Sequence, residues 1–166
     1  IYFIQSENGL GANYKELNRI INDSVRYPVD RIMLREPETS RVIFTKKTKY
    51  QLSGIKRFIN RQLEKYMQLC NLNFFDGDEL LDLAIKEEVL NDKVIRCLFF
   101  SWDNTARHSK RGYIINPVTK AKVFEYLNYL KDQDMIVINA WTEWCEGMVL
   151  EPTKRDGYKY LEWIKE

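Results

Sequence analysis

One stretch decides the fold of this chain: Ile136-Val-Ile-Asn-Ala-Trp-Thr-Glu-Trp-Cys-Glu-Gly-Met-Val-Leu-Glu-Pro152. Its apolar start is typical of a buried parallel strand. Two tryptophans and two carboxylates then crowd into Trp141–Glu146, before a glycine. Packing alone does not explain this cluster, because buried carboxylates are costly unless paired and exposed tryptophans leave apolar surface in water. Aromatic rings that cover a sugar face, beside two carboxylates that handle the protons of a glycosidic bond, do explain it.

Along the rest of the chain, apolar runs alternate with segments of helical periodicity. The runs predict strands over residues 1–5, 29–34, 94–100 and 134–140. The periodicities predict helices over residues 13–25, 50–71, 78–90, 117–131 and 156–165, with Asp78 and Asn116 as N-caps of the third and fourth. Residues 41–45 are predicted as a short strand or part of a loop. Such alternation predicts an α/β fold with a parallel sheet and helices outside it.

The number of units suggests the architecture. Four βα units make half of a (β/α)8 barrel, so we expect residues 1–166 to form the C-terminal half of one TIM-barrel-like domain. The sequence begins without Met and already inside an apolar run, which favours a preceding N-terminal half. Because half a barrel exposes a sheet edge and a core face, we expect the chain to need that half, or an oligomer, for stability.

Composition excludes several classes of function. The formal net charge is +2, and the basic clusters at residues 46–49 and 110–111 are predicted to be solvated loops, which argues against a nucleic-acid partner. Three scattered cysteines and one histidine argue against disulfides and a metal centre, and favour a reducing, cytoplasmic compartment. No apolar run reaches the roughly 18 residues of a membrane span. No nucleotide-binding motif is visible, so no cofactor is expected.

Polar residues follow the predicted strands where parallel α/β folds place their sites. Glu143 and Glu146 are candidate catalysts, although both are equally compatible with loop carboxylates paired with Arg107, Lys110 or Arg111. Asp103 and Asn104 suit sugar hydroxyls, although these residue types also favour turns. The lone His108 is predicted to be a surface residue. Glu36 follows a strand, which makes it a possible wall residue of the site, although a plain turn before Pro37 is favoured.

Two sequence blocks resemble a known family. Asn139-Ala-Trp-Thr-Glu-Trp-Cys-Glu-Gly-Met-Val-Leu-Glu-Pro152 is similar to the pattern N-A-W-N-E-W-x-E-G-x-x-L-E-P of WbsX-type proteins, which are glycosyltransferase-like proteins of bacterial surface-polysaccharide clusters. Trp102-Asp-Asn-Thr-Ala-Arg107 resembles their G-W-D-N-T-P-R block. These proteins are similar in turn to the endo-α-1,2-mannosidases, which are (β/α)8 glycoside hydrolases. The match is strong over residues 94–162, and it departs from the family at Thr142, where Asn is usual.

The resemblance implies an enzyme that cleaves or transfers a glycosidic bond in a bacterial surface polysaccharide such as O-antigen or capsule, with retention. It implies that Glu143 takes a proton from the sugar's own 2-hydroxyl and that Glu146 acts as general acid and then base. Glycan contacts are expected from an aromatic and polar set: Trp102, Asp103, Asn104, Arg107, Trp141 and Thr142. The alternative is a non-catalytic glycan-binding or scaffold protein of a polysaccharide assembly system.

Overall fold

The computed structural model describes residues 4–7, 30–41, 44, 58, 59, 62, 63, 65, 66, 73–87, 92–109 and 112–166. Within these ranges the strands are β1 Ile4–Glu7, β2 Arg31–Leu34, β3 Phe74–Phe75, β4 Val94–Phe99, β5 Trp102–Asp103, β6 Ile114–Ile115, β7 Ile136–Asn139, β8 Thr142–Glu143 and β9 Met148–Val149. The helices with defined bounds are α1 Gly77–Glu87, α2 Thr105–His108, α3 Lys120–Tyr129 and α4 Lys159–Lys165, and Trp144–Glu146 forms a 3-10 turn. The helix predicted over residues 13–25 and the basic residues 46–49 and 110–111 lie outside the described residues.

The main sheet confirms the predicted parallel α/β arrangement. Its strand order is β1-β2-β4-β7, and every neighbouring pair is parallel. The strands therefore lie side by side in the order in which the chain makes them, so their carboxyl ends share one edge. The strand β4 is buried along its whole length, as expected of a central strand with both faces covered.

The hydrophobic core lies between this sheet and the helices that follow its strands. Leu81 and Ala84 on α1 and Val123 and Tyr126 on α3 are completely buried, and they belong to one cluster with Leu98 of β4. The helical spacing over residues 50–71 predicts that its apolar residues are buried in the core. That prediction is wrong at four described positions, which are exposed: Phe58, Ile59, Leu63 and Tyr66. Helical spacing identifies an apolar stripe but does not specify what covers it.

The segment after β2 is helical, so the prediction of a strand or loop at residues 41–45 is wrong. Residues 38–41 and residue 44 are helical. The carboxylate of Glu36 accepts a hydrogen bond from the Ser40 backbone N–H at 3.0 Å, and the Arg41 N–H bonds to the Pro37 carbonyl at 3.0 Å. Glu36 thus lies in a turn, as predicted, and its buried side chain caps the helical segment that follows.

Two predicted N-caps are also wrong. The cap of α1 is Asp76, whose Oδ1 accepts from the Glu79 N–H at 3.0 Å, whereas Asp78 accepts two bonds from Thr119 at 2.8 Å each. The cap of α3 is Thr119 and not Asn116, because the Asn116 N–H bonds to the Phe75 carbonyl and extends the pairing of β3 with β6. Tertiary bonds of this kind leave no local signal in the sequence.

Candidate active site

The candidate site forms where β4 and β7 end. The chain leaves β4 through β5 and α2, and it leaves β7 through β8, the 3-10 turn and β9. These two segments pack on each other, and the Ser101 hydroxyl donates to the Gly147 carbonyl at 3.0 Å. The two sequence blocks that were quoted above therefore face one another across the edge of the sheet.

One guanidinium joins the two candidate catalytic glutamates. Nη1 of Arg107 lies 2.8 Å from Oε1 of Glu146, and Nη2 lies 3.8 Å from Oε1 of Glu143. The side chain of Glu146 is 12% exposed, against 38% for Glu143. The two carboxylates converge, which a catalytic pair requires. They also pair with Arg107, which the alternative interpretation as loop carboxylates predicted.

Local backbone geometry explains why the glutamates converge. Glu143 precedes the 3-10 turn and Glu146 closes it. Because a 3-10 helix has three residues per turn, side chains three positions apart lie on the same side. Gly147 ends the turn with φ +61°, a left-handed conformation that glycine adopts without steric cost. The spacing of the two glutamates and the glycine that follows them thus form one structural unit.

A cavity of about 460 Å³ receives these side chains. The predicted site residues that line it are Trp102, Asn104, Arg107, Glu143 and Glu146. Three other predicted residues are not part of its lining: Asp103, Trp141 and Thr142. Asp103 instead accepts bonds from the backbone N–H and hydroxyl of Thr105, at 3.0 and 2.6 Å, which is the turn that its residue type favours.

Trp102 forms part of the wall and carries an unused donor. It is 7% exposed and stacks on Tyr113, with ring centroids 6.0 Å apart. Its indole N–H has no hydrogen-bond partner among the described residues. Asn104 beside it is committed to the fold, since its Oδ1 accepts from the Tyr113 N–H at 2.8 Å. A ligand hydroxyl in the cavity is the kind of acceptor that Trp102 lacks.

A second part of the cavity wall, formed by Glu38 and Tyr113, was not predicted from the sequence. The Tyr113 hydroxyl donates to Oε2 of Glu38 at 2.7 Å, and the Arg41 guanidinium lies 4.3 Å from the centroid of the Tyr113 ring. Burial, together with the bond to Glu38, raises the pKa of Tyr113 above its ordinary value. Both Glu38 and Tyr113 line the cavity. No motif or periodicity signals this contact, which joins residues that are far apart in the chain.

Four more residues complete the lining: Arg35, Glu36, His108 and Asn139. Glu36 lies in the wall, as its place after a strand allowed, and its carbonyl accepts from Nδ2 of Asn139 at 2.8 Å, which ties the end of β2 to the end of β7. His108 is exposed, as the sequence predicted, and yet it borders the cavity. A single polar residue such as His108 gives no signal of its surroundings in the sequence.

No group of three or more His, Cys, Asp or Glu side chains among the described residues is arranged to hold a metal ion. Cys97 is a buried free thiol and Cys145 an exposed one. None of the helices within the described ranges is long and apolar enough to cross a membrane.

These features define a class of protein: an α/β protein whose parallel strands end at a polar cavity with two converging glutamates. Within that class, the chain belongs to the family described as Glycosyltransferase WbsX, whose sequence profile matches residues 1–164. This membership confirms the resemblance.

Curated relatives are similar over a shorter region. Two proteins named Uncharacterized protein WxcX, from Xanthomonas campestris pv. campestris strains B100 and ATCC 33913, are 37% identical over 70 residues. The alignment covers 37% of this chain and 10% of each relative, so the chain spans about a tenth of the length of these relatives. No solved structure is significantly similar to the chain.

Proposed function

We propose that this chain carries the catalytic pair of an enzyme that cleaves or transfers a glycosidic bond in a bacterial surface polysaccharide. The observation that carries the proposal is the convergence of Glu143 and Glu146 on one guanidinium, in a cavity at the carboxyl edge of a parallel sheet. Two carboxylates facing one cavity are the usual equipment for glycosidic chemistry. Trp102 supplies the aromatic wall and the spare donor that a sugar requires.

The proposed reaction follows the roles that the family resemblance implies, and it begins with Glu143 ionised and Glu146 protonated. Glu143 accepts the proton of the sugar's 2-hydroxyl while the 2-oxygen bonds to C1, and Glu146 donates its proton to the leaving oxygen as the C1–oxygen bond breaks. Water or an acceptor hydroxyl then bonds to C1 and gives its proton to Glu146. The bond between C1 and the 2-oxygen breaks, and Glu143 returns the first proton. Two inversions at C1 give retention.

Arg107 adds a condition to this proposal. The Glu146 carboxylate is bound to the Arg107 guanidinium at 2.8 Å. A general acid has to contact the leaving oxygen, so this ion pair is proposed to open before Glu146 donates its proton. The sugar that enters the cavity is proposed to take over the guanidinium with its hydroxyl groups, because Arg107 is about half exposed and reaches the lining.

The architecture and location belong to the same proposal. We propose that the four parallel strands are the C-terminal half of a (β/α)8 barrel, and that the chain is active only with the other half. The sheet order β1-β2-β4-β7 supports this, since a barrel of this type places successive strands side by side. Action in the cytoplasm remains a prediction from the scattered cysteines.

The test uses the full-length gene product and the surface polysaccharide of the organism that encodes it. Glu143→Gln and Glu146→Gln should each reduce turnover by about 10² to 10⁴-fold, the usual contribution of an acid or base. Glu162→Gln, on the exposed surface of α4, is the matched control and should be unchanged. If both site variants turn the glycan over like the parent, the catalytic assignment is wrong.

The second candidate is a glycan-binding protein without activity, and the ion pair of Arg107 with Glu146 is the observation that favours it. In that case the parent protein binds the polysaccharide but releases no product. The Gln variants would then change affinity alone. The two candidates are thus separated by product formation in the parent protein.

A further inference from the structure

The 3-10 turn has a second cavity on its other side. This cavity has a volume of about 630 Å³, within the range of small-molecule sites. Trp144 and Gly147 line it, whereas Glu143 and Glu146 line the first cavity. The five consecutive residues 143–147 therefore separate two concave surfaces, and the proposed chemistry does not use the second.

Trp144 presents an aromatic surface there. It is 60% exposed, although tryptophan is usually well buried. Its indole N–H donates to Oε1 of Glu151 at 2.6 Å, and this bond fixes the ring while leaving its face uncovered. An exposed, oriented indole at the wall of a cavity is suited to stacking against the apolar face of a pyranose.

Tyr160 supplies a polar group that the protein does not use. It lines the same cavity, is 6% exposed, and packs on Phe100 with ring centroids 4.5 Å apart. Its hydroxyl is buried and has no hydrogen-bond partner among the described residues. A buried hydroxyl without a partner destabilises a fold, so its retention here calls for a ligand that satisfies it.

The rim of the cavity carries three charged side chains, Lys154, Arg155 and Asp156. Nε of Arg155 lies 2.8 Å from Oδ2 of Asp156, so one of the two cations is already paired. The Asp156 N–H is also occupied, since it donates to the Thr153 hydroxyl at 2.9 Å. Beside these charges the cavity offers an aromatic face and a hydroxyl, which suit a sugar.

We propose that the second cavity is an accessory subsite for a hexopyranose unit, stacked on Trp144 and hydrogen-bonded to Tyr160. The proposal extends the proposed function, since the unit would belong to the same glycan that enters the first cavity. Sugar units of one glycan would then lie on both sides of the turn. One unit would occupy the accessory subsite while another contacts the two glutamates.

The experiment follows the indole N–H resonances of the full-length protein by NMR while methyl glycosides of glucose, mannose and galactose are titrated. Trp144→Ala identifies the Trp144 signal by its disappearance. In the parent protein this signal should shift saturably with at least one glycoside. Removal of the Trp144 side chain should weaken binding about tenfold. Tyr158→Ala is the matched control, because Tyr158 is an aromatic residue that is 64% exposed and lines neither cavity. It should leave the affinity unchanged.

Tyr160→Phe separates binding from folding. Removal of an unpartnered hydroxyl should leave the thermal midpoint unchanged or higher, while the affinity for the glycoside falls roughly three- to tenfold. The proposal is overturned if no glycoside shifts the Trp144 signal, or if Trp144→Ala and Tyr158→Ala bind alike. The double variant Glu143→Gln/Glu146→Gln should keep this binding, so a failure of the catalytic proposal is distinguishable from a failure of the subsite.

Discussion

Replacement of Arg107 by Gln tests how the site is held together. The change removes the 2.8 Å bond to Glu146 and the 3.8 Å contact with Glu143. A hydrogen bond to a charged group contributes about 1.5–3 kcal/mol when buried. Because the Arg107 side chain is 53% exposed, solvent screens part of this, and we expect a loss of about 1–2 kcal/mol in the free energy of unfolding.

The measurement is urea denaturation followed by tryptophan fluorescence, with a double-mutant cycle for Arg107→Gln and Glu146→Gln. The cycle should give a coupling of about 1 kcal/mol, since it removes the effects of each substitution outside the pair. The longer contact of Arg107 with Glu143 should couple by no more than about 0.5 kcal/mol. This order of the two couplings follows from the two distances.

The matched control is Lys120→Gln, which breaks an ion pair with Glu166 at the surface. Those side chains are 43% and 56% exposed, so the loss should be at most about 0.5 kcal/mol. If Arg107→Gln costs no more than Lys120→Gln, or if the cycle for Arg107 and Glu146 shows no coupling, the guanidinium does not organise the site and the reasoning fails.

Three further predictions concern the backbone and the dependence on pH. Gly147→Ala and Gly157→Ala, both at positive φ, should each destabilise by about 1 kcal/mol in denaturation, but only Gly147→Ala should also lower glycan affinity. Burial raises the pKa of Tyr113, so its stabilising effect is complete below about pH 10 and is lost above it; Tyr113→Phe should flatten that loss in alkaline unfolding curves. The hydrogen bond from Arg31 lowers the pKa of Asp134, so the destabilisation by Asp134→Asn should be present at pH 7 and disappear below about pH 4. Equal destabilisation by Asp134→Asn at pH 3 and pH 7, or unchanged alkaline curves for Tyr113→Phe, would contradict these assignments.

The sheet was predictable from the sequence, whereas several helix starts were not. Apolar runs bounded by turn residues identify buried strands, and β4 and β7 lie inside the runs predicted for them. The N-cap of α1 was predicted wrongly because two aspartates compete for that position. Asp76 and Asp78 have equal local propensity, and the choice is made by Thr119, which binds Asp78 from a distant part of the chain.

The candidate site divides in the same way. The convergence of Glu143, Glu146, Arg107 and Trp102 was predictable, because neighbouring parallel strands end at one edge. Glu38 and Tyr113 were not, since their hydrogen bond joins two loops whose approach depends on the packing of the entire sheet. The sequence motifs therefore predict one part of the cavity wall. The other part, Glu38 and Tyr113, depends on how the fold brings distant segments together.

The pairing of Arg107 with Glu146 has a consequence for how a glycan would enter. Oε1 of Glu146 is bound to the guanidinium, and a general acid has to be free to contact the leaving oxygen. A sugar therefore has to compete with Glu146 for Arg107, and part of its binding free energy is used to open the ion pair. Ligands too small to reach Arg107 should leave the pair closed and gain little from the glutamates. Discrimination between a glycan segment and a free monosaccharide then follows from the 2.8 Å contact itself, without a separate recognition element.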